Sequence, residues 1–591
     1  VTPLPYSVPL FKPGVLAKLV SRHALWLSLV VLGGIAAKAQ PAGLEDDRFV
    51  RKRVEGLPQA EKLRTPLPSP DTQLPTDTST YQPANLDTRT GIELPDAQAA
   101  PLPRPVWDRL YSNYLKAGVG RYLTPLVEAA VVKGRGGRNP DLGWGVYYRH
   151  LSTATGQVAG ANFGENTGAA HLAYYTDDQV LYASTQFQHR VHEFYGDPQL
   201  ANLERNDFPD SVRQRLAQFD LRAGIRSQYQ PDAVQYDAGF RVQQFSDRFD
   251  NSQFTGELFG TGALPLTGLL EGLSGAADVR LLYTNRQVNS GAEIGQFFVD
   301  LKPYLRYQPG NFSAEAGFRL AVFSPDEGES TTGVYPYLRL AYPLGADSSF
   351  IPFLQLDGQT TYQLRNDLTA QNPYLAPEAL AQNANLRLRL QLGVTGHVGP
   401  VSYHARFEHR SLDNQVVFFA PPQDSLIAFQ PGAESPGLVA AAPGYFQAQY
   451  VQDFTATGVV AGLTYLREDR LEAGFELAAF GYATPGLSRY FHEPNLRAQA
   501  WASYRFADKL WVRPSLSVLG GRTLTEGRES SNLGLLEESA FVDVSLFAEY
   551  FFSRRISVWA EANNLLNQDY FRWYGYLERP LDVKLGGSLR F

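Results

Sequence analysis

The 591-residue chain contains no cysteine and no methionine, and only 9 histidines. Without cysteine there is no disulfide, no thiolate metal site, no cysteine nucleophile and no lipid carried on a cysteine behind a leader. Long apolar runs are missing too. The longest, Ala24 to Ala37, holds about fourteen residues, short of the roughly twenty that a membrane-spanning helix needs. If such a chain enters a membrane, it enters as strands. Positive charge is also in deficit. The formal net charge is −7, and Lys12, Lys18, Arg22 and Lys38 stand in residues 1–39 without a carboxylate, so the remainder is more acidic still. That balance argues against nucleic acid as a partner.

Catalytic signatures are absent as well. There is no GxSxG elbow, and neither Gly118-x-Gly120 nor Gly134-Arg135-Gly136-Gly137 sits between a strand and a helix, as a phosphate loop requires. His189 and His192 lie three apart on a strand and point to opposite faces, and the odd spacing of His404 and His409 has the same effect. His397 shares a face with Arg387 and Arg389. The chain is therefore expected not to be an enzyme, with no catalytic, cofactor-binding or metal-binding residues assigned.

What is present is aromatic. Tyr (32), Phe (35) and Trp (7) make up 13 % of the chain, a load suited to the aromatic girdles of a membrane barrel. Residues 1–39 read as a signal peptide: a basic lead, the apolar run, and Ala37-Lys38-Ala39 as a small-x-small cleavage site near Ala39. Residues 40–106 are punctuated by proline (Pro41, Pro58, Pro66, Pro68, Pro70, Pro75, Pro83, Pro95, Pro101, Pro103, Pro105) and are expected to be a disordered periplasmic arm, because proline blocks both ladder and helix.

From 107 to 591 strand-length alternation hardly stops. Phe219, Leu221, Ala223 and Ile225 alternate with Asp220, Arg222, Gly224 and Arg226. Ala238, Phe240 and Val242 alternate with Asp237, Gly239 and Arg241. Val299, Leu301 and Leu305 alternate with Asp300, Lys302 and Arg306, and Leu386 to Val394 with Arg387 and Arg389. A face bearing full charges must meet water while its opposite face meets something apolar, which in a membrane barrel is lipid. Asp220, Arg222, Arg226, Asp237, Arg241, Asp300, Lys302, Arg306, Arg387 and Arg389 are accordingly expected to line the lumen. Most are read as cross-strand ion pairs holding the wall, with a path for a polar or anionic solute as the functional alternative.

Short turns (Asp177-Asp178, Gln230-Pro231-Asp232, Gln308-Pro309-Gly310, Gly399-Pro400, Arg467 to Arg470, Ala507-Asp508, Ser553 to Arg555) alternate with long stretches at 153–166, 196–211, 364–382, 413–447, 483–494, 521–538 and 565–579. Outer-membrane barrels show this asymmetry. The expected fold is all-β: a large transmembrane antiparallel barrel of about 22 strands, starting near Asn113 and preceded by the arm. Pro303 and Pro336 fall inside strands and are expected to bulge or break them.

The chain closes on an alternating strand, with Val583, Leu585, Gly587, Leu589 and Phe591 on one face and Lys584, Gly586, Ser588 and Arg590 on the other. A terminal strand ending on Phe591 is the kind that outer-membrane barrel-assembly machinery reads. Together with Asn563-Asn564-Leu565-Leu566-Asn567-Gln568-Asp569-Tyr570 and Trp573-Tyr574-Gly575-Tyr576, it resembles the C-terminus of TonB-dependent receptors, over about thirty residues. Leu566 stands where that family often has Phe. The family's 22-stranded barrel agrees with the count above. Its plug domain of well over a hundred residues finds no counterpart in the Pro-rich segment, so a receptor-like barrel lacking a plug is expected, and TonB-driven pulling on a plug is in question.

The function expected is an outer-membrane transport or pore protein for an unidentified solute. The alternative is a non-transporting structural subunit of an outer-membrane complex. Outer-membrane lipid, the barrel-assembly machinery, and a surface lipoprotein or a TonB system are the expected partners. The loop at 413–447, with Val416 to Ala420 and Leu438 to Ala442, is apolar enough to fold inward or to bind a partner.

Overall fold

The computed structural model describes residues 112–591 except 135–140, 154–160, 196–211, 229–232, 289–292, 327, 346–348, 420–443, 468–469, 486–491, 508, 527–533 and 539. The signal peptide, the arm and the turn at Gln230-Pro231-Asp232 lie outside the described residues. Twenty-two strands form one antiparallel sheet that closes on itself. The first strand, Tyr114–Gly120, pairs both with the second, Thr124–Lys133, and with the last, Asp582–Arg590. Phe591 continues the seam by donating its N–H to the Asn113 carbonyl at 3.0 Å.

Closure depends on two glycines. Gly118 faces Gly586 across the seam, and a Cβ on either would come within 2.5 Å of the Trp559 ring. No other residue type lets the backbones and the indole coexist there.

The alternation sets which way each row looks. Leu585 and Leu589 are 57 % and 42 % exposed while Lys584, next to Leu585 in sequence, is 6 % exposed. The same contrast runs round the ring: Leu115, Val127, Phe219, Phe240, Leu305, Phe407 and Phe475 form an outer apolar belt, and Lys116, Glu128, Asp220, Glu257, Asp300, Arg306 and Glu549 are buried on the inner side. An apolar row that meets no protein is what a lipid-facing wall requires.

Turn lengths separate the two ends. At the end carrying both barrel termini the connections are tight, as at Gly399-Pro400 between Ala384–Val398 and Val401–Asp413. Gly399 takes a left-handed φ of 56° there. The long connections are at the far end and include 362–383, 414–453, 484–495, 521–540 and 564–581, although 121–123 and 248–251 there are short. The strand Phe163–Tyr175 begins inside the stretch expected to be a loop, 153–166.

The two prolines behave differently. Pro303 leaves Glu293–Tyr307 in register with both neighbours, but the ladder to Ser313–Pro325 is interrupted at Lys302 and Pro303. Pro336 lies where the ladder between Thr331–Ala341 and Ile351–Thr361 is reduced to Leu338–Ala341, next to a register shift between Asp357 and Gln359. A lost donor is tolerated where a bulge has already interrupted the pairing.

That irregularity overturns one expectation. Arg387 is the extra residue of a bulge between Leu386 and Leu388, so Leu386 leaves the outward row. It stands opposite Gln359 and is 7 % exposed, whereas Leu392 of the outward row is 47 % exposed.

Candidate functional site

A ring of 22 strands spaced about 4.8 Å apart and tilted about 40° has a diameter of about 40 Å. Side chains alone cannot span that opening, so whatever fills the mouth must be loop. Three far-end connections, spaced round the ring, meet in the middle. Tyr195 follows the fifth strand, Gln179–Glu193; Tyr374 lies between the thirteenth and fourteenth, Ile351–Thr361 and Ala384–Val398; Tyr576 lies between the last two, Ile556–Asn563 and Asp582–Arg590. Tyr374 stacks on Tyr576 with ring centroids 3.4 Å apart, and Tyr195 is edge-on to both at 6.1 and 4.8 Å. Points separated by six to eight strands can touch only near the axis.

Around these tyrosines lies a core of soluble-protein type. Leu368, Leu375, Val416, Phe418, Phe446, Trp573 and Tyr576 form one buried cluster, and Phe194, Ala376 and Tyr445 an adjoining one. The expected inward folding of the 413–447 loop is realised by its first strand, Gln415–Phe419, paired with Gln447–Val451; Leu438 to Ala442 lie outside the described residues. Leu375 also bridges Phe446 in parallel, linking two loops directly.

The loop 362–383 is the keystone of this closure. Its helix, Arg365–Gln371, begins with the Asp367 carboxylate accepting the Leu364 N–H at 3.0 Å and stops ahead of Pro373. Arg365 and Asp247 form an ion pair at 3.1 Å with side chains 1 % and 0 % exposed. Arg365 also donates to the Ala379 carbonyl at 2.9 Å and the Ala376 carbonyl at 3.3 Å. From the wall, Asn251 donates to the Pro377 carbonyl at 3.2 Å, Arg286 to Ala379 at 3.2 Å, and the His192 ring to Pro373 at 2.7 Å. A buried pair survives because its remaining donors are satisfied. Beside Trp573 and Phe446, burial and the nearby Arg522 cation hold the His492 imidazole down to about 3, so it is neutral.

Beneath the mouth the lumenal wall is a charge lattice. Asp220 is buried opposite Gln243. Arg222 sits 3.9 Å from Asp237 and over the Phe259 ring, while Arg226 stands opposite Asp237, whose carboxylate accepts the Tyr182 hydroxyl at 2.5 Å. Arg241 and Arg280 share Glu257 at 3.3 and 2.7 Å. Asp300 pairs with Arg319 at 3.3 Å, Lys302 with Asp278 at 2.6 Å, and Arg306 with Glu315 at 2.6 Å. Arg389 grips Asp357 through Nε and Nη2. Arg387 stands apart at its bulge, 2.7 Å from Asp453 and 3.4 Å from Asp413.

Lys302, Arg306 and Arg389 converge on one cavity of about 210 Å³ that also includes Arg319, Arg339, Glu315, Asp357, Tyr304 and Tyr337. Sequence reasoning missed the last six, although their signal was there: Glu315 and Arg319, and Tyr337 and Arg339, recur at even spacing on their strands. The mouth residues Asp247, Arg365, Tyr195, Tyr374 and Tyr576 carry no such signal. Among the described residues no group of His, Asp and Glu is arranged to hold a metal.

No family model and no curated protein matches the chain. Solved structures do. The FrpB iron transporter of Neisseria meningitidis (F5-1 variant) aligns with a TM-score of 0.61 at 12 % identity, covering 82 % of this chain and 83 % of that one. The siderophore receptor PirA of Pseudomonas aeruginosa aligns at 0.54 and 12 %, covering 81 % and 80 %. The ferric-catecholate import receptor Fiu of E. coli K12 aligns at 0.56 and 11 %, covering 82 % of each. At such identity the likeness is one of fold, and it agrees with the fold that the C-terminal resemblance implied.

Proposed function

We propose that this chain is a solute-transport barrel of the bacterial outer membrane, with its termini on the periplasmic side and its loop-built closure facing outward. One observation carries the proposal: a ring lined with charge is shut at one mouth by loops that meet on its axis. An aqueous path and a separate, loop-made closure are the parts of a gated channel. The proteins of similar fold are by name an iron transporter, a siderophore receptor and an import receptor, which supports the same direction. Cleavage of residues 1–39 near Ala39, a Pro-rich periplasmic arm over 40–106, and transport without a plug domain belong to this proposal. So do its partners: lipid on the outer belt, the assembly machinery at the strand ending in Phe591, and a TonB system or a surface lipoprotein.

The test is conductance in planar bilayers of the full chain and of a Tyr374→Ala/Tyr576→Ala variant, each with and without residues 41–105. The expected result is low conductance that rises on removing the tyrosine contact. A variant whose mouth is open by proteolysis yet passes no ions would favour the structural-subunit alternative.

A further inference from the structure

The cavity on the lumenal wall reaches from the end carrying the barrel termini up to Gly358 and Gln359, near the far end of Ile351–Thr361. Lys302 and Arg306 stand near the end of Glu293–Tyr307 that turns at 308–312, on the side carrying the barrel termini, and Ser313 and Glu315 open the next strand. Its lining holds five cations, Lys302, Arg306, Arg319, Arg339 and Arg389, and two carboxylates, Glu315 and Asp357, while Asp278 and Asp300 beside it pair with Lys302 and Arg319. The carboxylates serve as anchors. Glu315 accepts from Arg306 and from the Tyr337 hydroxyl, and Asp357 takes the fork of Arg389. Lys302 is steadied between the Tyr304 and Tyr337 rings, 4.8 and 4.6 Å from their centroids. Arg319 Nε is within ion-pair reach of Asp300 at 3.3 Å but makes no hydrogen bond to it, so this N–H is directed elsewhere.

Anchored guanidiniums are pre-organised donors, and an anion with several oxygens can accept from more than one of them at once. About 210 Å³ is the liquid volume of about seven waters, enough for a small oxyanion and too little for a drug-sized ligand.

We propose that this cavity is a binding site for a small multivalent oxyanion bearing phosphate or carboxylate groups. As a station on a transport path it rests on the function proposed above; as a binding site it is tested alone. Isothermal titration of the full chain in detergent would use pyrophosphate and citrate as probes, with acetate as the monovalent control. At least one multivalent probe is expected to bind while acetate does not, and which of them binds identifies phosphate or carboxylate as the recognised group. Arg319→Gln/Arg339→Gln is expected to weaken binding by about tenfold or more, the scale of losing charge-assisted hydrogen bonds. Arg319→Lys/Arg339→Lys should restore part of it, and Arg222→Gln, outside the cavity, should leave it unchanged.

If the double variants fail to fold, protection of the wild-type arginines from phenylglyoxal by pyrophosphate or citrate gives the same answer, read by peptide mapping. No binding of either probe, or equal binding by the glutamine variant, overturns the site. A barrel that conducts but binds neither probe sinks only this proposal, and one that binds a probe but never conducts sinks only the transport function.

Discussion

In the wall, Arg306 meets Glu315 nine residues away within a single hairpin; at the mouth, Arg365 meets Asp247 across 118 residues of chain. Wall contacts are between neighbours that the hydrogen-bond ladder has already brought together, and they add to a structure closed by its backbone. Mouth contacts have only the short pairing of Gln415–Phe419 with Gln447–Val451 behind them, outside the ladder of the ring. They hold loops from around the whole ring, so each carries more of the local stability. The wall also has its apolar belt on the outside and, among the described residues, keeps small inner apolar clusters such as Leu282, Phe298, Ala321 and Tyr335. Only at the mouth do buried apolar residues from across the ring gather into one core. The same chain thus solves two solvent problems: a membrane along its sides and water across its opening.

The sharpest way to separate the two regions is Asp247→Asn. It leaves Arg365 charged and buried without its anion, a loss of about 3–5 kcal/mol for such pairs. The loss should fall on the mouth: faster hydrogen exchange and proteolysis across 362–383, with heat-modifiable gel mobility of the barrel unchanged. Unaltered protection of that loop would show that the aromatic cluster alone holds the closure.

Acid should loosen the mouth by a smaller amount. His492 stays neutral in the closed form, with its pKa down at about 3, whereas in an opened loop it titrates near its ordinary 6.5. Between those values the open form binds the extra proton, so closure is fully favoured above about 6.5 and weakens as pH falls, by about 1–2 kcal/mol at pH 5. Burial of Glu378 raises its carboxyl, which works in the opposite sense, favouring closure at low pH and losing that contribution as pH rises. Exchange rates around His492 compared at pH 7 and pH 5, in wild type and His492→Asn, isolate the histidine; an equal acid response in both would exclude it.

Least affected should be Arg222→Gln. Its partner Asp237 is 3.9 Å away and both side chains are about one-third exposed, so the pair contributes about 0–1 kcal/mol. Urea unfolding of the detergent-solubilised barrel, followed by tryptophan fluorescence, should give a midpoint close to wild type. A large shift would mean that the wall's charge lattice acts as one network.

The even spacing of Asp300, Lys302 and Arg306, and of Arg222 and Arg226, puts each set on one face of its strand, because strand geometry repeats every two residues and makes face a local property. The same rule failed at Leu386, where one extra residue at Arg387 reverses the rows without leaving a mark in the pattern of side-chain types. Tyr195, Tyr374 and Tyr576 were illegible for a different reason: no local periodicity says that three loops of different lengths will meet.

Composition and alternation by themselves determined a strand-built membrane wall of about 22 strands, its two faces, and the unequal ends, since each follows from short-range backbone geometry and from which solvent a side chain tolerates. Tertiary structure alone decided which charges share a cavity, where the ladder is interrupted, and that loops from across the ring meet at one mouth. Those outcomes depend on distances across a closed ring, and closure joins residues hundreds of positions apart that no stretch of sequence relates.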